Sequence, residues 1–264
     1  VVSLAPGALL LLAVFSAATA LFGALVMLTQ NSVKVSLAWS TIAQMGFMIM
    51  QCGLGAYAAA LLHIVAHSLY KAHAFLSSGS VVDTARAGRL PHASVATPGP
   101  LALVALGLAT AAALAIAGGE VAGLPFATNP GVVALGAILL MSLAPLAAAT
   151  VAGRGSAYVV GRCLAIGAAV LGAYFALQLG AATLLGPALP AAAPASLASR
   201  IVAAAIIAGF AGVVLLQVQV QLHRYERPWQ AFYVHLFNGF YLNLVANRLV
   251  AAVWPLRATA RETR

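Results

Sequence analysis

His63, His67 and Lys71 follow one another at four-residue steps in Leu61-Leu62-His63-Ile64-Val65-Ala66-His67-Ser68-Leu69-Tyr70-Lys71-Ala72-His73. On an α-helix each such step turns a side chain by about 40°, so the three groups form one gently winding stripe. Tyr70 and Ser77 continue it, and it covers about 20 Å of helix. Histidine titrates near neutrality and an amine stripped of water can surrender its proton. Two imidazoles and one amine therefore suit a proton relay better than a fixed charge. The alternative is that these groups only hydrogen-bond neighbouring helices. Ionisable side chains inside apolar segments are costly and signal function, and three on one stripe favour the relay.

Other polar groups carry weaker signals. The His-x-x-x-His spacing also fits two metal ligands on one helix. Ile64-Val65-Ala66 lacks the glutamate of a metalloprotease helix, and no carboxylate or cysteine lies close by, so no metal or other cofactor is expected in this chain. His73 points away from the stripe and suits packing or a boundary. Lys34 opens the preceding apolar segment, where anchoring at a basic membrane face explains it and a relay role is the second reading. Ser40, Thr41 and Gln44, one or two turns further in, extend a hydrated path or serve as helix-packing glue. Glu120, in Gly118-Gly119-Glu120-Val121-Ala122-Gly123-Leu124-Pro125, sits in an outer loop or, less favoured, a broken helix lining a cavity. Cys52 and Cys163 lie in apolar stretches and read as small hydrophobes.

The elements that position these groups follow from composition. Of 264 residues, 63% are hydrophobic and 6% charged, and the mean hydropathy is +1.03. A water-facing surface cannot be built from so few charges, so most of the exterior faces lipid. The net charge of +9 is carried by bases scattered singly among apolar runs, which excludes nucleic acid as a partner. Strand-like alternation is absent. The expected fold is all-α, a polytopic transmembrane bundle of about seven spans: Leu4–Gln30, Val33–Cys52, Ala56–Val82, Pro100–Gly118, Pro130–Val151, Ala157–Leu179 and Ala198–Leu222.

Threading those spans alternately puts Lys34, Arg86, Arg89, Arg154, Arg162, Arg224 and Arg227 on one side and only Arg200 near the other. The bias predicts a cytoplasmic C-terminus and a first span running inward. From Trp229 to Leu244 the apolar positions line one helical face, which predicts that the Trp229–Trp254 segment is an amphipathic helix lying in the membrane interface or docked on a partner. The expected organisation is a bundle over residues 1–222, then this helix and a basic tail over 223–264. A chain that opens Val1-Val2 without a leader is expected to be a fragment or a processed product.

Two stretches carry a family resemblance. Lys34-Val35-Ser36-Leu37-Ala38-Trp39-Ser40-Thr41-Ile42-Ala43-Gln44-Met45-Gly46-Phe47-Met48 resembles the K-x-x-LAYST-x-x-Q-x-GYM pattern of antiporter-like subunits in respiratory complex I and in multisubunit sodium/proton antiporters. His63 to Val82 resembles the helix that follows it. The likeness covers residues 1 to about 85 well and the rest by topology. Within the superfamily, Trp39, the run His67 to Ser80, Arg227-Pro228-Trp229-Gln230 and Asn238-Gly239-Phe240-Tyr241 resemble the DabB branch, membrane subunits of bacterial inorganic-carbon-accumulating complexes.

That resemblance implies several things. His63, His67 and Lys71 match the family's proton-path positions, and Lys34 its lysine before the serine-threonine pair. The membrane is the bacterial inner membrane. The partner is a large cytoplasmic subunit resembling a zinc β-carbonic anhydrase, which holds the only zinc, and cation flow drives its hydration of carbon dioxide to bicarbonate. The family places a further lysine or glutamate in a broken helix after the histidine helix. No lysine follows Lys71 here, which leaves Glu120 as the candidate. The family's first inverted repeat is not present, so the chain resembles a second half that is not expected to translocate ions alone.

Three functions are thus in view. The first is a proton- or cation-translocating subunit energising carbon accumulation. The second is the antiporter-like subunit of a quinone oxidoreductase or cation/proton antiporter, which shares the same stripe. The third is a membrane scaffold whose Trp229–Trp254 segment recruits a partner while the polar residues only pack helices.

Overall fold

The computed structural model describes residues 5–79, 196–222 and 226–253, with scattered residues between 131 and 189. Every regular element among them is helical. Helix α1 spans Pro6–Met27, α2 Val33–Gly53, α3 Tyr57–Leu76, α4 Leu197–Leu222, α5 Arg227–Phe237 and α6 Leu242–Val253. By length and composition α1, α2 and Leu197–Leu216 of α4 are apolar enough to cross a membrane. Helix α3 has the length of a span, at 20 residues, but its imidazoles and amine dilute its apolar content. Four of the expected spans thus coincide with described helices. Those expected at 100–118, 130–151 and 157–179 lie wholly or largely outside the described residues, as do Glu120 and the tail beyond residue 253.

Helices α1 and α2 form an antiparallel hairpin built on small residues. The buried stripe of α1 runs through Leu9, Ala13, Ser16, Ala17, Ala20, Gly23 and Val26. Opposite it, a Cβ on Gly46 would lie 2.8 Å from the Ala20 backbone nitrogen, and one on Gly53 2.6 Å from that of Ala13. A Cβ on Gly23 would meet the Ala43 nitrogen at 2.8 Å. No side chain fits between backbones this close. In lipid, where apolar burial gives helices little reason to associate, such close approach supplies dispersion contact instead.

The α2–α3 connection is a Schellman turn. Ala56 N–H donates to Gln51 O at 2.8 Å and Gly55 N–H to Cys52 O at 3.0 Å, and Gly55 takes φ 78°, a left-handed conformation that costs glycine little. The turn folds α3 back along α2. Helix α4 rests on α1, with Gly209 under Leu21. Ala17, Met50, Ala56, Ala59, Leu135 and Ile206 form the shared core.

The single amphipathic helix expected over Trp229–Trp254 is instead two helices, α5 and α6, bent by 59°. The break falls at Asn238-Gly239-Phe240-Tyr241, where Asn238 Nδ2 donates to Val234 O at 2.8 Å and Gly239, Phe240 and Tyr241 all take positive φ, at 57°, 49° and 57°. Left-handed backbone at a non-glycine residue costs about 1–2 kcal/mol, so contacts must hold it. Tyr233 Oη donates to Thr29 O at 3.0 Å, and Gln30 Nε2 donates to Phe237 O at 3.2 Å. The Phe22 ring stands 5.7 Å from Trp39 and 6.2 Å from Phe240, and Gly239 lies against Trp39. The elbow therefore clasps the α1–α2 connection, at the end where Lys34 begins α2.

Candidate functional site

The polar stripe of α3 is buried at His67 and Lys71 and half-buried at His63. It lies along the seam with α2, where His67 and Lys71 are 8% and 7% exposed. Apolar neighbours on the opposite flank, Ile64, Val65 and Leu69, are exposed instead. This separation follows from the helical repeat, since residues one or two places away point elsewhere.

At one end of the seam the Lys71 ammonium donates to Leu37 O at 3.1 Å and to Ser40 Oγ. The same carbonyl accepts from Ser40 Oγ and from Thr41 Oγ1, both at 2.9 Å. Serine and threonine back-bond to carbonyls three or four residues earlier, so this pair gathers hydroxyl dipoles around one backbone oxygen and the amine completes the group. Among the described residues no carboxylate pairs with Lys71. Its partners among the described residues are neutral oxygens, the Leu37 carbonyl and the Ser40 hydroxyl.

Further along, His63 Nε2–H donates to Gln44 Oε1 at 2.6 Å. With Nε2 committed as donor, Nδ1 of the neutral ring is free to accept a proton. The His63 and His67 rings stand 6.2 Å apart, a gap that a single bridging water spans. Phe47 packs on His63 at 5.4 Å and on Phe210 at 6.0 Å, which closes that flank with aromatic carbon. The sequence of groups along the seam is thus Leu37 and Ser40 with Lys71, then His67, then His63 with Gln44.

Other predicted residues fall elsewhere. Lys34 lies exposed in the first turn of α2, one turn before Leu37. Tyr70 does not continue the stripe: it is 62% exposed, because a residue adjacent to Lys71 is turned about 100° from it, although its ring lies 5.8 Å from Lys71 Nζ. Ser77 closes the last turn of α3, with Oγ donating to His73 O at 2.8 Å. His73 is exposed, and Glu120 lies outside the described residues. The Leu37 carbonyl escaped sequence reasoning because a leucine side chain announces nothing. The signal was the Ser40-Thr41 pair three and four residues on.

Comparison with known proteins identifies the family. Residues 3–152 match the family described as NADH:quinone oxidoreductase/Mrp antiporter, transmembrane. The chain is 39% identical over 260 residues to a probable inorganic carbon transporter subunit DabB2 of Halothiobacillus neapolitanus, covering 94% of this chain and 44% of that relative. It is 56% identical over 75 residues to a probable inorganic carbon transporter subunit DabB of Hydrogenovibrio crunogenus, covering 28% of this chain and 14% of that protein. Over 64 residues it is 53% identical to NAD(P)H-quinone oxidoreductase chain 5 of a Synechocystis species, covering 24% of this chain and 9% of the relative. The chain spans less than half the length of these relatives. The matched region contains the whole α2–α3 seam, and the chain belongs to the NADH:quinone oxidoreductase/Mrp antiporter transmembrane family, the antiporter-like membrane subunits.

Proposed function

We propose that this chain contributes the proton path of a membrane subunit that energises inorganic carbon accumulation, and that His63, His67 and Lys71 carry the protons. The observation that carries the reading is the burial of Lys71 against neutral oxygens of α2, in line with two imidazoles. Lys71 holds a proton at Leu37 O and Ser40 Oγ, releases it toward His67, and His63 passes it on while Gln44 fixes the ring. Lys34, exposed one turn away, marks the mouth of the path. The mouth faces the cytoplasm in the inner membrane, in keeping with the excess of basic residues on that side.

The likeness to DabB subunits along 94% of the chain supports inorganic carbon as the cargo that the ion flow serves. In this reading a large cytoplasmic subunit resembling a carbonic anhydrase holds the zinc and hydrates carbon dioxide, and the membrane subunit supplies the driving force. The test uses the complete protein with its partner. Lys71→Ala abolishes growth at ambient carbon dioxide while expression and co-purification with the partner persist; normal growth overturns the assignment.

The local identity to quinone oxidoreductase chain 5 favours one second reading, a proton-pumping subunit beside a redox module. Co-purification distinguishes the two: a carbonic-anhydrase-like protein supports the first, quinone-oxidoreductase subunits the second.

A further inference from the structure

Past His63, the α2–α3 pair runs on toward its Schellman turn, and two polar atoms are buried there without a hydrogen-bond partner among the described residues, Gln51 Oε1 and Tyr57 Oη. Gln51 is 5% exposed. A buried polar atom left unpaired is costly, and in native proteins such atoms hold a protein group or an ordered water. The turn does not use these side chains: its carbonyls are satisfied by the Gly55 and Ala56 amides.

Both residues keep the register of the seam. Gln51 follows Gln44 by seven residues and so faces within about 20° of it, while Tyr57 precedes Lys71 by fourteen and faces within about 40° of it. With Lys71 set against Leu37 and His63 against Gln44, the antiparallel pair brings Tyr57 level with Gln51. Between this pair and His63 lies about 10 Å of helix, lined by Phe47 on α2 and by the buried Ala59 and Ala60 on α3.

We propose that Gln51 and Tyr57 together bind water and form a second station of the proton path, through which protons pass between His63 and the membrane face at the α2–α3 turn. The proposal rests on the path assigned above and extends it across the membrane. The amide oxygen accepts from water, the phenol both accepts and donates, and together they give a water the two or more partners that buried water requires. Phe47 and the alanines leave a dry stretch between the stations, so passage depends on water crossing it.

The experiment measures proton flux by the complete protein with its partner subunits in liposomes. Tyr57→Phe and Gln51→Leu preserve shape while removing the polar atoms, and each lowers flux about tenfold without reducing assembly. Pulsed hydroxyl-radical footprinting of the unsubstituted protein gives a second measurement, independent of how the variants fold: bound water leads to rapid labelling of Tyr57. Wild-type flux in both variants, or an unlabelled Tyr57, overturns the station. Lys71→Ala run in parallel separates the two claims. If it abolishes flux while both variants remain active, only the station fails; if it leaves flux intact, the path itself fails.

Discussion

Lys71 donates to the carbonyl oxygen of Leu37 across the α2–α3 seam at 3.1 Å, and two hydroxyls from the next turn of α2 converge on the same oxygen. A buried amine has here been given acceptors without a charge. Arginine retains its proton under all ordinary conditions, so Lys71→Arg keeps the charge and loses the release. Proton flux in liposomes should fall roughly a hundredfold or more, the scale on which a positioned proton-transfer group acts, for Lys71→Arg as for Lys71→Ala.

Ser40→Ala removes one of the Lys71 acceptors and leaves Leu37 O in place. A hydrogen bond to a charged group is worth about 1.5–3 kcal/mol, so flux should fall at least tenfold. Thr41→Ala, which takes away only a hydroxyl bonded to its own helix, should have a smaller effect in the same assay.

Gly46→Ala tests the hairpin. The added Cβ meets backbone atoms at 2.8 Å, which cannot swing aside, and overpacking of this kind costs about 1–3 kcal/mol. Thermal unfolding in detergent should begin at a lower temperature. Gly7→Ala, where nothing lies within 4 Å of the new atom, should leave it unchanged or raise it.

The elbow makes a separate prediction. At Gly239 a Cβ meets Trp39 only at ordinary contact, 3.6 Å, while φ is +57°. Gly239→Ala should therefore act through the backbone alone, at about 1 kcal/mol. The readout is faster proteolytic cleavage near residue 239 with the α1–α3 region unaffected.

The α3 stripe was legible because four-residue spacing of ionisable groups in an apolar run has a single geometric meaning. Its partners were less so. Gln44 could be named as a hydrated-path candidate, but nothing in Leu37 marks its carbonyl as an acceptor for a side chain 34 residues away. Tyr70, expected to continue the stripe, is turned about 100° from Lys71 and lies exposed. The elbow was hidden because apolar periodicity runs unbroken through residues 229–244. Asn238-Gly239 held the only local sign, a pair that readily ends one helix and admits left-handed backbone. The α1–α2 contact was visible only as an abundance of Ala and Gly, since which glycines meet which backbone is fixed by how the two helices cross.

The fusion of α1 to α2, main chain against main chain, has a mechanical outcome. Two helices whose backbones meet at Gly23, Gly46 and Gly53 resist sliding and rolling at those three points, so Leu37, Ser40 and Gln44 ride on a stiff beam. Helix α3 is joined to that beam by a glycine turn, packs on it through Ala56 and Ala59 at the turn end, and further along reaches it through the long side chains of His63 and Lys71. A displacement of even part of a helical turn along its own axis would exchange the oxygens that Lys71 reaches while the beam stays still.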